Sequence, residues 1–91
     1  MNHFVSLEIS LYPLHKDYEH AVLNFIAALE KAPDVKIITN GMSTQVFGPI
    51  DTLMPLIQEG MKSTWNDGEQ SIFVMKFLKG DVSNYEHQPS V

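Results

Sequence analysis

Glu8 stands in the middle of an alternating run, Phe4-Val5-Ser6-Leu7-Glu8-Ile9-Ser10-Leu11-Tyr12. A carboxylate in mid-strand costs free energy if it is desolvated and unpaired. Three arrangements relieve that cost: Glu8 faces water, it pairs with Lys76, or it meets a donor on a ligand. Ser10 is two residues on, about 7 Å away by strand rise. A second polar group follows Asn40-Gly41 and consists of Ser43, Thr44 and Gln45. These offer two hydroxyls and an amide where a structural strand favours Val or Ile. Polar groups in such places need partners, which solvent, a second subunit or a ligand can supply.

The rest of the chain offers little to catalysis. The four histidines are His3, His15, His20 and His87, and no two have the spacing of a metal-binding pair. No serine sits in a G-x-S-x-G elbow, and Gly41 and Gly48 do not make a phosphate-cradling loop. The carboxylate pairs Asp17 with Glu19 and Asp67 with Glu69 read as helix and loop surface. Cysteine is absent, which excludes disulfides, thiolate metal sites and a thiol nucleophile. The expectation is a protein without catalytic residues, metal or cofactor.

Composition narrows the partners. Eleven acids against 6 bases give a net charge of −5 over 91 residues. With no Lys/Arg cluster, a nucleic-acid surface is not expected. At 44% hydrophobic and 19% charged, this is an ordinary globular composition, enough for one domain around one core. No apolar run approaches the roughly 20 residues of a membrane span, and the N-terminus does not read as a signal peptide. A cytoplasmic location is the default expectation.

The polar residues need elements to position them. Phe4 to Tyr12 has the period of a strand with Val5, Leu7, Ile9 and Leu11 on one face, and Pro13 should end it. Asp17 to Lys31 reads as a helix with Tyr18, Val22, Phe25, Ile26 and Leu29 on its stripe and Asp17 as cap. Val35-Lys36-Ile37-Ile38 precedes Asn40-Gly41, a hairpin signal. The expectation is strands near 35–39 and 42–47, a two-residue type I′ turn with φ > 0, and Thr39 facing Met42. Gly48-Pro49 should break the second of these strands. A second helix is predicted over Asp51 to Thr64, striped by Ile50, Leu53, Met54, Ile57 and Met61. Thr52 or Asp51 would cap it, with Pro55 in the first turn. Asn66-Asp67-Gly68 reads as a turn and Glu69 to Leu78 as the last strand. The domain should span 1–80, with 81–91 a polar, fraying tail.

The order β-α-β-β-α-β is the ferredoxin-like pattern: a four-stranded antiparallel sheet with two helices on one face, in the α+β class. The helix-covered face takes Val35, Ile37, Thr44 and Val46; the open face takes Lys36, Ile38, Ser43, Gln45 and Phe47. The last strand is apolar on both sides. Phe73, Met75 and Phe77 under the helices would leave Ile72, Val74 and Lys76 open, and the reverse is nearly as good. Either way the open face mixes polar and apolar groups, which points to a subunit interface, with or without a ligand.

Two stretches, Ser10-Leu11-Tyr12-Pro13-Leu14 and Thr39-Asn40-Gly41-Met42-Ser43-Thr44-Gln45-Val46-Phe47-Gly48, resemble the thiamine/hydroxymethylpyrimidine-binding proteins of the YkoF-like kind. The similarity extends over Tyr18 to Leu29 and the run Lys76-Phe77-Leu78-Lys79-Gly80-Asp81. It implies a ferredoxin-like fold that assembles by its sheets into homodimers or homotetramers. It also implies non-enzymatic binding of thiamine or its hydroxymethylpyrimidine precursor in salvage or transport. Some family members carry two such domains, so a single-domain chain would need two subunits to pair its sheets. The ligand set expected from strand faces and chemistry is Glu8, Ser10, Tyr12, Asn40, Met42, Ser43, Thr44, Gln45, Phe47 and Lys76. Glu8 would meet the aminopyrimidine with charge-assisted hydrogen bonds. The serines, Thr44 and Gln45 would complete the polar pattern. Phe47, Tyr12 or Met42 would cover the rings and attract the thiazolium charge. Two alternatives remain: an ACT-like structural or regulatory oligomer without thiamine, and a small enzyme of the antibiotic-monooxygenase kind.

Overall fold

The computed structural model describes residues 2–14, 18–65 and 70–84, with the backbone alone at 18–21. The expected Asp17 cap, the Asn66-Asp67-Gly68 turn, both carboxylate pairs, His15, His87 and the side chains of Tyr18 and His20 lie outside the described residues.

The elements are β1 (Phe4–Pro13), α1 (Tyr18–Leu29), β2 (Lys36–Thr39), β3 (Thr44–Pro49), α2 (Ile50–Trp65) and β4 (Ser71–Lys79). The strands form one antiparallel sheet in the order β2-β3-β1-β4. This is the ferredoxin-like fold. Alternation in β1 sends Val5, Leu7 and Ile9 into a core with Phe25, Leu29, Val46, Leu53 and Ile57. In β4, Phe73 and Met75 pack against that core, while Ile72, Val74 and Leu78 are exposed. Aromatic contacts fix this choice: the Phe73 ring lies 5.0 Å from Phe25 and 5.3 Å, edge-on, from Trp65.

Four expectations change. The hairpin has no two-residue turn: Thr39 pairs with Thr44, not Met42, and Gly41 does not have positive φ. Asn40 instead organises a four-residue loop. Its side-chain oxygen accepts hydrogen bonds from the Met42 and Ser43 N–H groups, and its own N–H donates to the Ser43 carbonyl. A loop longer by two residues shifts the register by an even step, so the face assignments survive.

Second, Gly48-Pro49 does not break β3. Gly48 pairs with Val5 and Pro49 with Phe4, and β2 ends its pairing at Phe47. Pro49 therefore sits where no strand needs its missing donor on that side.

Third, α2 begins at Ile50, and Pro55 lies inside it rather than in the first turn. Neither Asp51 nor Thr52 caps the helix. Ile50 N–H donates to the His3 carbonyl and Asp51 N–H to the Asn2 side chain. The chain's beginning supplies the acceptors that a local cap otherwise provides.

Fourth, the chain after β4 does not simply leave the sheet. Residues Gly80 to Val82 turn back and are anchored on β1, as described below.

Candidate functional site

The face away from the helices carries the site. Register builds it in rows. Ile38, Gln45, Glu8 and Lys76 form one row across β2, β3, β1 and β4. Lys36, Phe47, Ser6 and Leu78 form the next. One polar row is thus set beside a mixed one, half polar and half apolar, and the strand alternation that hides Leu7 and Ile9 is what puts Glu8 and Ser6 here.

Glu8 is held from two sides. Its Oε2 accepts a hydrogen bond from the Ser43 hydroxyl at 3.2 Å, and its Oε1 lies 3.6 Å from Lys76 Nζ. The carboxylate keeps 42% of its side chain exposed and Lys76 keeps 78%, so this pair is a solvated one. An exposed pair of this kind contributes about 0–1 kcal/mol. The arrangement leaves carboxylate surface available to a further donor.

A cavity of about 310 Å³ opens around this row. Glu8, Gln45, Phe47 and Lys76 line it, joined by Ser6, Leu78 and Val82. The other expected ligand residues gather elsewhere. Ser10, Tyr12, Asn40, Met42, Ser43 and Thr44 surround a smaller recess of about 180 Å³. It lies under the β2–β3 loop, beside Phe25 and Ile26 of α1. The Ser43–Glu8 hydrogen bond joins the two groups. Asn40 spends its side-chain oxygen on the loop backbone, and Met42 stands 89% exposed at the tip.

Ser6, Leu78 and Val82 were not among the expected ligand residues. Alternation did place Ser6 on this face, but nothing local in the sequence signals that the chain after Gly80 returns to it. Gly80 takes φ of +109°, a region that suits glycine. Its N–H donates to the Phe4 carbonyl at 2.8 Å. The Ser6 hydroxyl donates to the Gly80 carbonyl at 2.8 Å and accepts from the Val82 N–H at 3.0 Å. Asp81 then accepts from the Ser83 N–H at 2.9 Å. Hydrogen bonds from Ser83, and secondarily the Lys36 ammonium, hold the Asp81 carboxyl below the usual carboxylate range.

Among the described residues no group of His, Asp or Glu is placed to hold a metal ion. No described helix is long and apolar enough to cross a membrane.

No protein-family model and no curated protein matches the sequence. Solved structures do match. A hypothetical protein of Methanocaldococcus jannaschii aligns with TM-score 0.75 at 24% identity, over 97% of this chain and 90% of its own. A domain of unknown function, DUF77, from Bacillus cereus aligns with TM-score 0.71 at 21% identity, over 86% of this chain and 77% of its own. A candidate thiamine biosynthesis/salvage protein of Thermotoga maritima aligns with TM-score 0.69 at 14% identity, over 81% of both chains. At these identities the likeness concerns architecture, and on that ground the chain is a ferredoxin-like α+β protein built like these three.

Proposed function

We propose that this protein binds thiamine or its hydroxymethylpyrimidine precursor, without chemical turnover, on the open sheet face beside Glu8. The observation that carries the reading is the position of the Glu8 carboxylate. It is partly exposed, braced by Ser43 and Lys76, and set in a cavity with Gln45 and the Phe47 ring. An aminopyrimidine brings an amine donor beside ring nitrogens, and a carboxylate next to an amide complements that pattern. The negative charge suits a thiazolium cation, and the Phe47 ring, buried in this structure, would add an aromatic face once uncovered. The Thermotoga maritima neighbour lends support, since its description concerns thiamine biosynthesis or salvage.

The proposed assembly is a homodimer or homotetramer packed through this face, where Tyr12, Ile72, Val74 and Leu78 are exposed. Sedimentation velocity should give a species larger than one chain; a monomer at high micromolar concentration would oppose it. The same residues also favour a second reading, an oligomeric module without ligand, in which Glu8 serves only its ion pair with Lys76.

Isothermal titration separates the two. The binding reading expects micromolar or tighter affinity, about −8 kcal/mol or better, for thiamine or hydroxymethylpyrimidine at one site per subunit. Absence of heat with both ligands at several temperatures would favour the module.

A further inference from the structure

Phe47 lies on the face that no helix covers, and yet only 3% of it is accessible. Its row partner Ser6 is buried as well, at 5%. Both belong to the wall of the Glu8 cavity, and Val82 faces the same space. Val82, on the chain after β4, lines the same cavity as Phe47, and that chain passes the β1 end of this row at Ser6. Beyond the Gly80 N–H bond to the Phe4 carbonyl, one hydroxyl holds that crossing. Ser6 satisfies the Gly80 carbonyl with its proton and the Val82 N–H with its lone pair. Gly80 makes the reversal possible through a backbone conformation that other residues adopt only under strain.

We propose that Gly80 to Val82 is a latched, movable wall of the Glu8 cavity, with Ser6 as the positioning residue that holds it shut. Apart from the Gly80 N–H bond to Phe4, the backbone hydrogen bonds of this crossing to the sheet both end on one side-chain oxygen. The crossing can leave Ser6 only by breaking both of these bonds, which separates a closed arrangement from an open one. Closed, it covers Phe47 and places Val82 against the cavity. Open, it bares an aromatic surface next to the Glu8 carboxylate and admits a flat ring. That the wall faces a ligand rests on the binding role proposed above; that Ser6 latches it does not.

Amide hydrogen exchange by NMR on the full chain tests this. Val82 N–H should be protected in the unaltered protein. Ser6→Ala should speed its exchange by about tenfold or more, the scale of a lost hydrogen bond, while Leu7 and Val46 stay protected. Gly80→Ala is the second variant. A Cβ there would meet nothing within 4 Å, so any loosening comes from backbone strain and leaves Ser6 intact. It too should speed Val82. Unprotected Val82 in the unaltered protein, or unchanged exchange in both variants, overturns the latch. Saturating thiamine, by occupying the open state, should speed Val82 exchange. Thiamine that binds by calorimetry without speeding Val82 overturns the wall's role. Thiamine that does not bind removes the ligand reading, and the Ser6 and Gly80 results still decide the latch.

Discussion

Glu8 carries the interpretation at the scale of single residues. Its partners form a solvated pair and a hydrogen bond, so neither has a large claim on stability. Glu8→Gln should therefore change the unfolding free energy by no more than about 1 kcal/mol. It should weaken pyrimidine binding by about tenfold or more, as loss of one charge-assisted hydrogen bond implies. Calorimetry and a urea melt check the two halves; unchanged affinity removes Glu8 from the site.

Asp81 gives a prediction of definite sign. Its carboxyl titrates below the ordinary value, chiefly because Ser83 donates to the ionised form. A depressed folded-state value means the contribution is present above the unfolded-state pKa and is lost as pH falls through the folded one. Carboxyl carbon shifts should show Asp81 titrating below the ordinary aspartate value, and an ordinary midpoint would contradict the turn. Glu8 was legible in the sequence because strand alternation is a local signal. Ser6 as a latch was not, since its partners are some 75 positions away: Ser6 to Gly80 spans 74 and Ser6 to Val82 spans 76.

At the scale of elements, the six segments were readable from periodicity, and their ends were less so. The β2–β3 connection shows why. Asn-Gly favours a tight turn, but Asn40 accepts two backbone N–H groups and closes a wider loop. The start of α2 fails similarly, because its acceptors come from Asn2 and His3 at the far end of the chain. Gly60 is the sharpest case of tertiary packing overriding local preference. It is buried in the middle of α2, where glycine costs about 1 kcal/mol against alanine. A Cβ there would come within 2.8 Å of the Phe25 ring of α1, a ring itself packed on Phe73. Overpacking of this kind typically costs about 1–3 kcal/mol. Gly60→Ala should therefore lower the urea midpoint despite its better helix propensity; a raised midpoint would mean that the helices separate freely.

Over the whole molecule, one sheet separates two environments. The helix side is a closed apolar core, and the other side is a mixed surface with a carboxylate near its centre. Which side was which followed from β1 alone, because Val5, Leu7, Ile9 and Leu11 share a face. The grouping of the site did not follow. Six of the ten expected ligand residues surround the recess under the β2–β3 loop, and four line the Glu8 cavity. Strand register and loop closure decide that division, and neither is a local property of the sequence. The central claim is that thiamine or its pyrimidine binds in the cavity beside Glu8. Amide chemical-shift mapping during a thiamine titration tests it most directly. The account predicts the largest shifts at Glu8, Gln45, Lys76 and Val82. Shifts confined to the outer face of α2, or none at saturating ligand, would contradict it.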